Sequence, residues 1–339
     1  MKTRNFYACS CFFIPPGYPL ILFIALVIIL KVGVTLPQLG KQATRENLIQ
    51  FASKAEESGF DSVWVLERLL WPINPRTPYV ATPDGSLPLD YQSVLDPLET
   101  LSFVAGHTQH ISLGTCVIDM LFHNPVLLGR RIATLDVVSE GRAICGLGIG
   151  WSQDEYQASN ISFKNRGKRA DEFLESLKRV WTDDIVEFKG EYYNIPASKI
   201  GPKPIQKPHI PIYMGGFSQA TLARIVKYDT NGWLGVPVGP LEQLRTTVNT
   251  LHDIATKANK DPNSFKVILL TYPKISDSKK AGGDQRFPMT GTIEDVGSDI
   301  REFKSTGIEH IIFSLFFSPI YPNIDQSIEI LKQLLQYAK

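Results

Sequence analysis

A glycine-rich segment near the middle of the chain has the residue types that bind a phosphate or a planar ring. Gly146, Gly148 and Gly150 alternate at the end of an apolar run, and Trp151 follows them. Glycines at a strand end let backbone amides approach a ligand closely. The spacing differs from the dinucleotide fingerprint G-x-G-x-x-G, because Trp151 stands where that pattern needs its third glycine. The same residues also fit a strand end whose small side chains let helices pack.

A second candidate site is the segment Gly215-Gly216-Phe217-Ser218-Gln219, which precedes a predicted helix. Two glycines, a hydroxyl group and the free amides of a helix N-terminus together form an anion site. An ordinary serine cap after a turn explains the local sequence about equally well.

Charged residues follow two further apolar runs. Glu67 and Arg68 follow the run at residues 61–66, and His123 comes shortly after the run at residues 111–117. Glu67 and Arg68 fit either a functional pair or an ion pair that braces a loop. His123 could serve as an acid or base, but a lone histidine before a helix is more often a structural hydrogen-bonding residue.

Several chemistries lack their usual residue patterns in this sequence. The six histidines include no pair at i, i+4 spacing, and neither a P-loop nor a G-x-S-x-G elbow occurs. The 35 basic residues nearly balance the 34 acidic ones, so the basic surface typical of nucleic-acid binding is not expected. No metal site is predicted. With so few candidate side chains, we expect a bound cofactor to perform the difficult step.

The elements that must position these residues alternate regularly as strand and helix. The predicted strands span residues 31–36, 61–66, 111–117, 142–149, 210–214, 232–236, 265–271 and 309–316. The predicted helices span residues 44–58, 97–108, 125–138, 166–181, 218–227, 241–258, 292–306 and 324–337, and a hairpin is predicted at residues 186–194. Eight such units predict a (β/α)8 TIM barrel with loop insertions at its C-terminal face, where active sites lie. Residues 69–94 are a candidate substrate lid there, and the place of residues 215–219 round the barrel favours a phosphate.

The first 30 residues are a hydrophobic extension of a barrel domain predicted at residues 31–339. Residues 18–30 are almost wholly apolar, but they are short for a membrane span. A signal anchor, an uncleaved signal and an upstream extension outside the working protein all fit, and we favour the third. The prediction is therefore a cytoplasmic protein, with membrane anchoring through residues 18–30 as the alternative.

Several motifs in this order resemble the luciferase-like monooxygenase superfamily. They are Asp96-Pro97, Leu113-Gly114-Thr115, Asn124-Pro125, Ala133-Thr134-Leu135-Asp136, Gly141-Arg142, Gly148-Ile149-Gly150-Trp151, Arg166-Gly167 and Pro202-Lys203-Pro204. Within that superfamily, residues 67–79, 122–125 and 198–204 are similar to the F420-dependent oxidoreductase group. The resemblance covers the chain from residue 31 to its end.

The resemblance implies the site residues. Relatives carry a non-prolyl cis peptide bond at the position of Cys116-Val117, beneath the cofactor ring. The implied cofactor contacts are Pro37, Cys116, Val117, Gly148, Ile149, Gly150, Trp151, Gly215, Gly216, Phe217, Ser218 and Gln219. Several relatives have Asp-His in place of Glu67-Arg68, and Trp151 replaces an acidic residue of a sugar-phosphate dehydrogenase. Arg68 cannot act as a base at neutral pH. It could bind an anionic substrate or stabilise a negative ring after hydride uptake, and we predict charge stabilisation as its role. We also predict that Glu67 orients Arg68 and that His123 is a third catalytic candidate.

The implied function is hydride transfer between coenzyme F420 and an unidentified small organic substrate. An FMN-dependent monooxygenase that uses oxygen is the alternative enzyme, because both cofactors have a three-ring shape and a phosphate. A non-catalytic flavin-binding protein is the alternative of another class. Relatives also imply a homodimer, while nucleic acid is not an expected partner.

Overall fold

Eight parallel strands alternate with helices along the chain and close into a barrel. The computed structural model describes residues 30–82, 84–276, 286–318, 320–321 and 323–339. Its strands are β1 Lys31–Thr35, β2 Ser62–Val65, β3 Ser112–Thr115, β4 Ile118–Asp119, β5 Ala143–Gly148, β6 Val186–Lys189, β7 Asn194–Ser198, β8 Ile212–Gly215, β9 Gly232–Gly235, β10 Lys266–Thr271, β11 Lys274–Ile275, β12 Thr290–Gly291 and β13 His310–Phe313. Its helices are α1 Arg45–Glu57, α2 Pro97–Ala105, α3 Pro125–Val138, α4 Gln153–Ala158, α5 Arg166–Thr182, α6 Gln219–Lys227, α7 Leu241–Lys257, α8 Ile293–Lys304 and α9 Ile324–Ala338.

The strand pairing confirms the predicted (β/α)8 TIM barrel. The barrel strands are ordered β3-β2-β1-β13-β10-β9-β8-β5, and β3 also pairs with β5, which closes the ring. Gly114 is opposite Ile144 at this closure, and Gly33 is opposite Ser62 where β1 pairs with β2. At least one helix lies between successive barrel strands, so every connection is the crossover that a parallel sheet requires.

Polar residues at the helix starts explain where several of the helices begin. The Asn124 side chain accepts hydrogen bonds from the amides of Val126 and Leu127, and Pro125 occupies the first turn of α3. Thr292 and Asp295 form a reciprocal capping box at the start of α8. The apolar faces of these helices pack on the outside of the strands and form the main core.

One tryptophan fills the interior of the barrel. Trp64 is fully buried, and a Cβ atom at Gly114 would lie 2.3 Å from its ring, so this position requires glycine. The Trp64 indole donates a hydrogen bond of 2.6 Å to Ser62 Oγ, which lies 2.8 Å from His310 Nε2. Burial lowers the pKa of His310 to about 3, so this ring stays neutral in the folded chain.

Two local predictions were wrong. The hairpin predicted at residues 186–194 extends to Ser198, because its second strand begins only at Asn194, and α4 lies between the predicted strand 142–149 and the predicted helix 166–181, where no element was predicted. Six residues are too few for helical periodicity to stand out, although Ser152 caps α4 and Tyr156 on this helix is buried.

The apolar segment at residues 18–29 and the first two cysteines lie outside the described residues, so the anchor and the domain boundary at residue 31 stay predictions. No helix of the described part of the chain is long and apolar enough to cross a membrane. The other two cysteines, Cys116 and Cys145, are buried and make no disulfide.

Candidate active site

A cavity of about 440 Å³ lies at the carboxyl ends of the barrel strands, the face where barrels of this kind carry their active sites. The ends of β2, β3, β5, β8, β9 and β10 and the loop at residues 66–95 contribute to its wall. The sequence-predicted site residues on the wall are Glu67, Arg68, Cys116, Val117, Gly148, Ile149, Gly150, Trp151, Gly215, Gly216 and Phe217. Tyr79 and Val80, from the predicted lid, also line it.

Val117 and two glycines shape one side of the cavity. The peptide bond between Cys116 and Val117 is cis, at the position that the family resemblance implied. A Cβ atom at Gly148 would lie 2.7 Å from Val117 Cγ2, and one at Gly215 would lie 3.0 Å from Val117 Cγ1. Because the two glycines have no side chains, the Val117 side chain packs between them, and this part of the cavity wall consists of Val117 and backbone, against which a planar group can lie.

Glu67 is almost completely buried, and it holds His123 rather than Arg68. Its carboxylate accepts a hydrogen bond of 2.8 Å from the backbone amide of Asp119, and its other oxygen lies 2.6 Å from His123 Nε2. The prediction that Glu67 orients Arg68 was therefore wrong. His123 lies behind Glu67 and does not line the cavity.

Arg68 is held by a residue that the sequence did not point to. Its Nε donates to Glu155 Oε1 at 2.9 Å, and its Nη2 forms a second bond to Glu155 Oε2. Both side chains are nearly inaccessible, at 5% and 1% exposed. The guanidinium carbon also lies 4.8 Å from the centre of the Trp151 ring. The positive charge of Arg68 is thus matched by a buried carboxylate, and its plane is fixed by bidentate pairing and stacking.

Asp119 is a second residue at the site that was not predicted. It lines the cavity, and a Cβ atom at Gly148 would lie 2.7 Å from its Oδ1, so the glycine makes room for this carboxyl group. Burial, together with the nearby charges of Glu67 and Glu155, raises the pKa of Asp119 to about 7. A carboxyl group in this state exchanges a proton readily at neutral pH. The only sequence signal was an acidic residue two positions after a predicted strand.

Aromatic side chains form the remaining wall. The rings of Tyr79 and Trp151 are 5.5 Å apart, and the hydroxyl groups of Tyr79 and Tyr91 are 3.1 Å apart. Tyr272, just after β10, lines the same cavity and packs edge-on against Phe317. Burial raises the pKa of Tyr91 and Tyr272 well above 10, so both hydroxyl groups keep their protons at neutral pH.

Three of the predicted cofactor contacts lie away from the cavity wall. Ser218 caps α6 by accepting a hydrogen bond of 3.2 Å from the amide of Thr221, and Gln219 is the first residue of that helix. Both are exposed next to Phe217, at the rim of the cavity. Pro37 is buried elsewhere, beside a small void that Phe51 and Ile324 also line.

The comparison with known families agrees with this geometry. A family model described as luciferase-like monooxygenase matches residues 26–290, which is more than half of the chain. The chain belongs to the luciferase-like monooxygenase family. It is therefore an enzyme of a family of oxidoreductases and monooxygenases.

Known proteins that are similar to this chain differ in what they do. The F420-dependent glucose-6-phosphate dehydrogenase of Amycolatopsis mediterranei is 32% identical over 251 residues, which are 71% of this chain and 69% of that protein. The monooxygenase RslO1 from Streptomyces bottropensis has a TM-score of 0.73 at 21% identity, over 91% of this chain and 99% of that chain. The coenzyme F420-dependent tetrahydromethanopterin reductase from Methanopyrus kandleri has a TM-score of 0.71 at 18% identity, over the same shares. The two solved structures support the fold.

Proposed function

We propose that this luciferase-like protein is an F420-dependent oxidoreductase that transfers a hydride between the deazaflavin and a small organic substrate. The observation that carries the proposal is the cavity wall at Val117, which packs between two glycines that have no side chains, Gly148 and Gly215, so that a planar ring can lie against it. The dehydrogenase of Amycolatopsis mediterranei, which is F420-dependent, supports the choice of cofactor. When bound, the deazaflavin supplies the carbon atom that gives or takes the hydride.

The described residues fit both parts of such a cofactor. Val117 and the backbone from Gly148 to Trp151 would hold the ring, because these residues line the cavity and two of them are glycines. Gly216 and Ser218 would hold the phosphate, because they lie at the rim where the first amides of α6 begin. Phe217 is 55% exposed between them and could cover the cofactor once it is bound.

Asp119 would manage the proton that accompanies hydride transfer. Reduction of a carbon–heteroatom double bond needs a proton on the heteroatom, and oxidation needs that proton removed. With its pKa near 7, the Asp119 carboxyl group can do either at neutral pH. Glu67 fixes the backbone of Asp119 through the amide hydrogen bond, and His123 holds Glu67 in place. Arg68 contributes a positive charge whose position Glu155 fixes.

Equilibrium binding of cofactors tests the proposal. The purified full chain is titrated with coenzyme F420, with FMN and with the deazaflavin chromophore that lacks the phosphate, while tryptophan fluorescence is followed. Quenching is expected because Trp151 lines the cavity. We expect micromolar or tighter binding of F420, weaker binding of FMN, and a loss of affinity when the phosphate is missing.

Each other outcome has a defined meaning. Preference for FMN would replace the proposal with an FMN-dependent monooxygenase, which would then consume oxygen when it is reduced. Tight F420 binding with no hydride transfer to any of a panel of ketones, aldehydes and enones would favour a non-catalytic binding protein. Failure to bind either cofactor would refute both enzymatic proposals.

A further inference from the structure

Among the described residues, the cavity wall has no cation that is free to pair with an anionic substrate, and this restricts the chemical class of the substrate. We infer that the substrate is a neutral, largely apolar compound with a carbonyl oxygen, and that sugar phosphates and other anions are excluded. The inference rests on the proposed function, because it concerns the part of the cavity that the cofactor leaves free. It does not depend on which of the two cofactors is bound.

The charges on the cavity wall disfavour an anionic substrate. Among the described residues that line the cavity, Arg68 is the one permanent cation, and Glu155 already pairs with it through two hydrogen bonds. Glu67 and Asp119 add two carboxyl groups to the same wall. An anionic substrate would therefore be buried beside carboxylates with no unpaired cation, which is strongly unfavourable.

The uncharged part of the cavity wall is mostly apolar. Apart from the charged residues and the glycine-rich backbone, the wall consists mostly of aliphatic and aromatic side chains, including Leu66, Val80, Leu234, Val236, Leu270 and Trp151. Such a wall offers the hydrophobic contacts and ring faces that bind apolar compounds, while a sugar needs several hydrogen-bonding partners.

Among the described residues, the Tyr272 hydroxyl group has no hydrogen-bond partner. The Tyr79 and Tyr91 hydroxyl groups bond to each other, whereas in the described part of the chain no hydrogen bond is found for the Tyr272 hydroxyl. Tyr272 nevertheless lines the cavity, and its hydroxyl group keeps its proton at neutral pH. It is therefore placed to donate a hydrogen bond to a substrate oxygen, which would orient an otherwise apolar molecule.

Two naphthalene compounds of similar shape, one neutral and one anionic, test whether charge decides binding. We would measure binding of 2-acetylnaphthalene, which has a neutral carbonyl group, and of 2-naphthoate, which has a carboxylate on the same ring. Isothermal titration calorimetry at pH 8 on the full chain, with and without F420, gives affinities that do not depend on turnover. We expect the neutral ketone to bind at least about tenfold more tightly, a difference of about 1.4 kcal/mol.

Two variants test the stated causes. Glu155→Gln removes the carboxylate that neutralises Arg68, so the affinity for 2-naphthoate should rise about tenfold. The control variant Glu329→Gln makes the same charge change on the exposed face of α9, and it should leave the affinity for 2-naphthoate unchanged. Tyr272→Phe removes one hydroxyl group, so 2-acetylnaphthalene should lose about two- to tenfold in affinity, and unsubstituted naphthalene should lose none. Thermal melting checks that each variant is folded.

The outcomes that overturn the inference differ from those that overturn the proposed function. Equal or tighter binding of 2-naphthoate by the unaltered chain overturns it, and so does absence of 2-acetylnaphthalene binding up to its solubility limit. If Glu155→Gln does not fold, the Tyr272→Phe comparison still decides whether the carbonyl oxygen is bound. Failure of F420 to bind while the ketone still binds refutes the proposed cofactor and leaves the substrate class standing.

Discussion

Replacing Asp119 with asparagine should remove a loss of stability that occurs in the original chain as the pH rises from about 4 to about 7. The carboxyl group of Asp119 has a pKa of about 7 in the folded chain, against an ordinary value of 3.8. As the pH rises above about 4, the unfolded chain loses this proton first, so stability falls until the folded carboxyl group has also ionised near pH 7. Asparagine has the same shape and no proton to lose, so the variant escapes this loss.

The size of the effect follows from the two pKa values. Each pH unit between them corresponds to about 1.4 kcal/mol, so the stability of the Asp119→Asn variant relative to the original chain should rise by roughly 4 kcal/mol from pH 4 to pH 8. Any change in packing adds a constant offset at all pH values. The change of the difference with pH, rather than its absolute size, therefore reports the titration of Asp119.

Urea unfolding followed by tryptophan fluorescence at several pH values between 4 and 8 measures this difference. Asp253→Asn, which removes an exposed carboxyl group on α7, is the matched control. A stability difference that stays flat across the range would show that Asp119 does not titrate there. That result would mean that the Asp119 carboxyl group of the folded chain is already ionised at pH 4, which would remove the basis for its role in proton transfer.

Three further substitutions test other parts of the site and the barrel. Gly148→Ala places a methyl group 2.7 Å from Val117 Cγ2 and should weaken F420 binding at least about tenfold by fluorescence titration; unchanged affinity would place the ring elsewhere. Arg68→Met leaves the buried Glu155 carboxylate without its cation and should lower the free energy of unfolding by about 3–5 kcal/mol. Adding Glu155→Leu to this variant should restore much of the lost stability, and a double variant as unstable as the single one would contradict this. His310→Gln should reduce the loss of stability between pH 7 and pH 5 by roughly 2 kcal/mol. In this range the histidine of the unfolded chain binds a proton, whereas the buried ring of the folded chain stays neutral. Equal pH profiles of the two chains in urea unfolding would contradict this.

The barrel could be predicted from the sequence because its signals are local and repeated. Apolar runs alternate with helical periodicity, and residues such as Asn124 and Thr292 mark where helices begin. The position of the cis peptide at Cys116-Val117 came from the family resemblance, since no local pattern encodes it.

The contacts inside the site were harder to predict. Glu67 and Arg68 are neighbours in sequence, but successive side chains of an extended segment point in opposite directions, so Glu67 reaches His123 while Arg68 reaches Glu155. Glu155 is 87 residues away from Arg68, on a helix too short to recognise. The importance of Asp119 comes from burial beside other carboxyl groups, which a sequence does not display. The homodimer stays a prediction.

The loop at residues 66–95 and helix α4 are tied together at several points. The amide of Arg76 donates to Asp154, the amide of Gln153 donates to Thr77, and the amide of Leu69 donates to Glu155. Two segments that lie far apart in sequence thus form one structural unit, and mutations in them are expected to be epistatic. An engineer who grafts a new specificity loop from a relative should transplant both segments, because either one alone would lose the partners that hold it over the barrel.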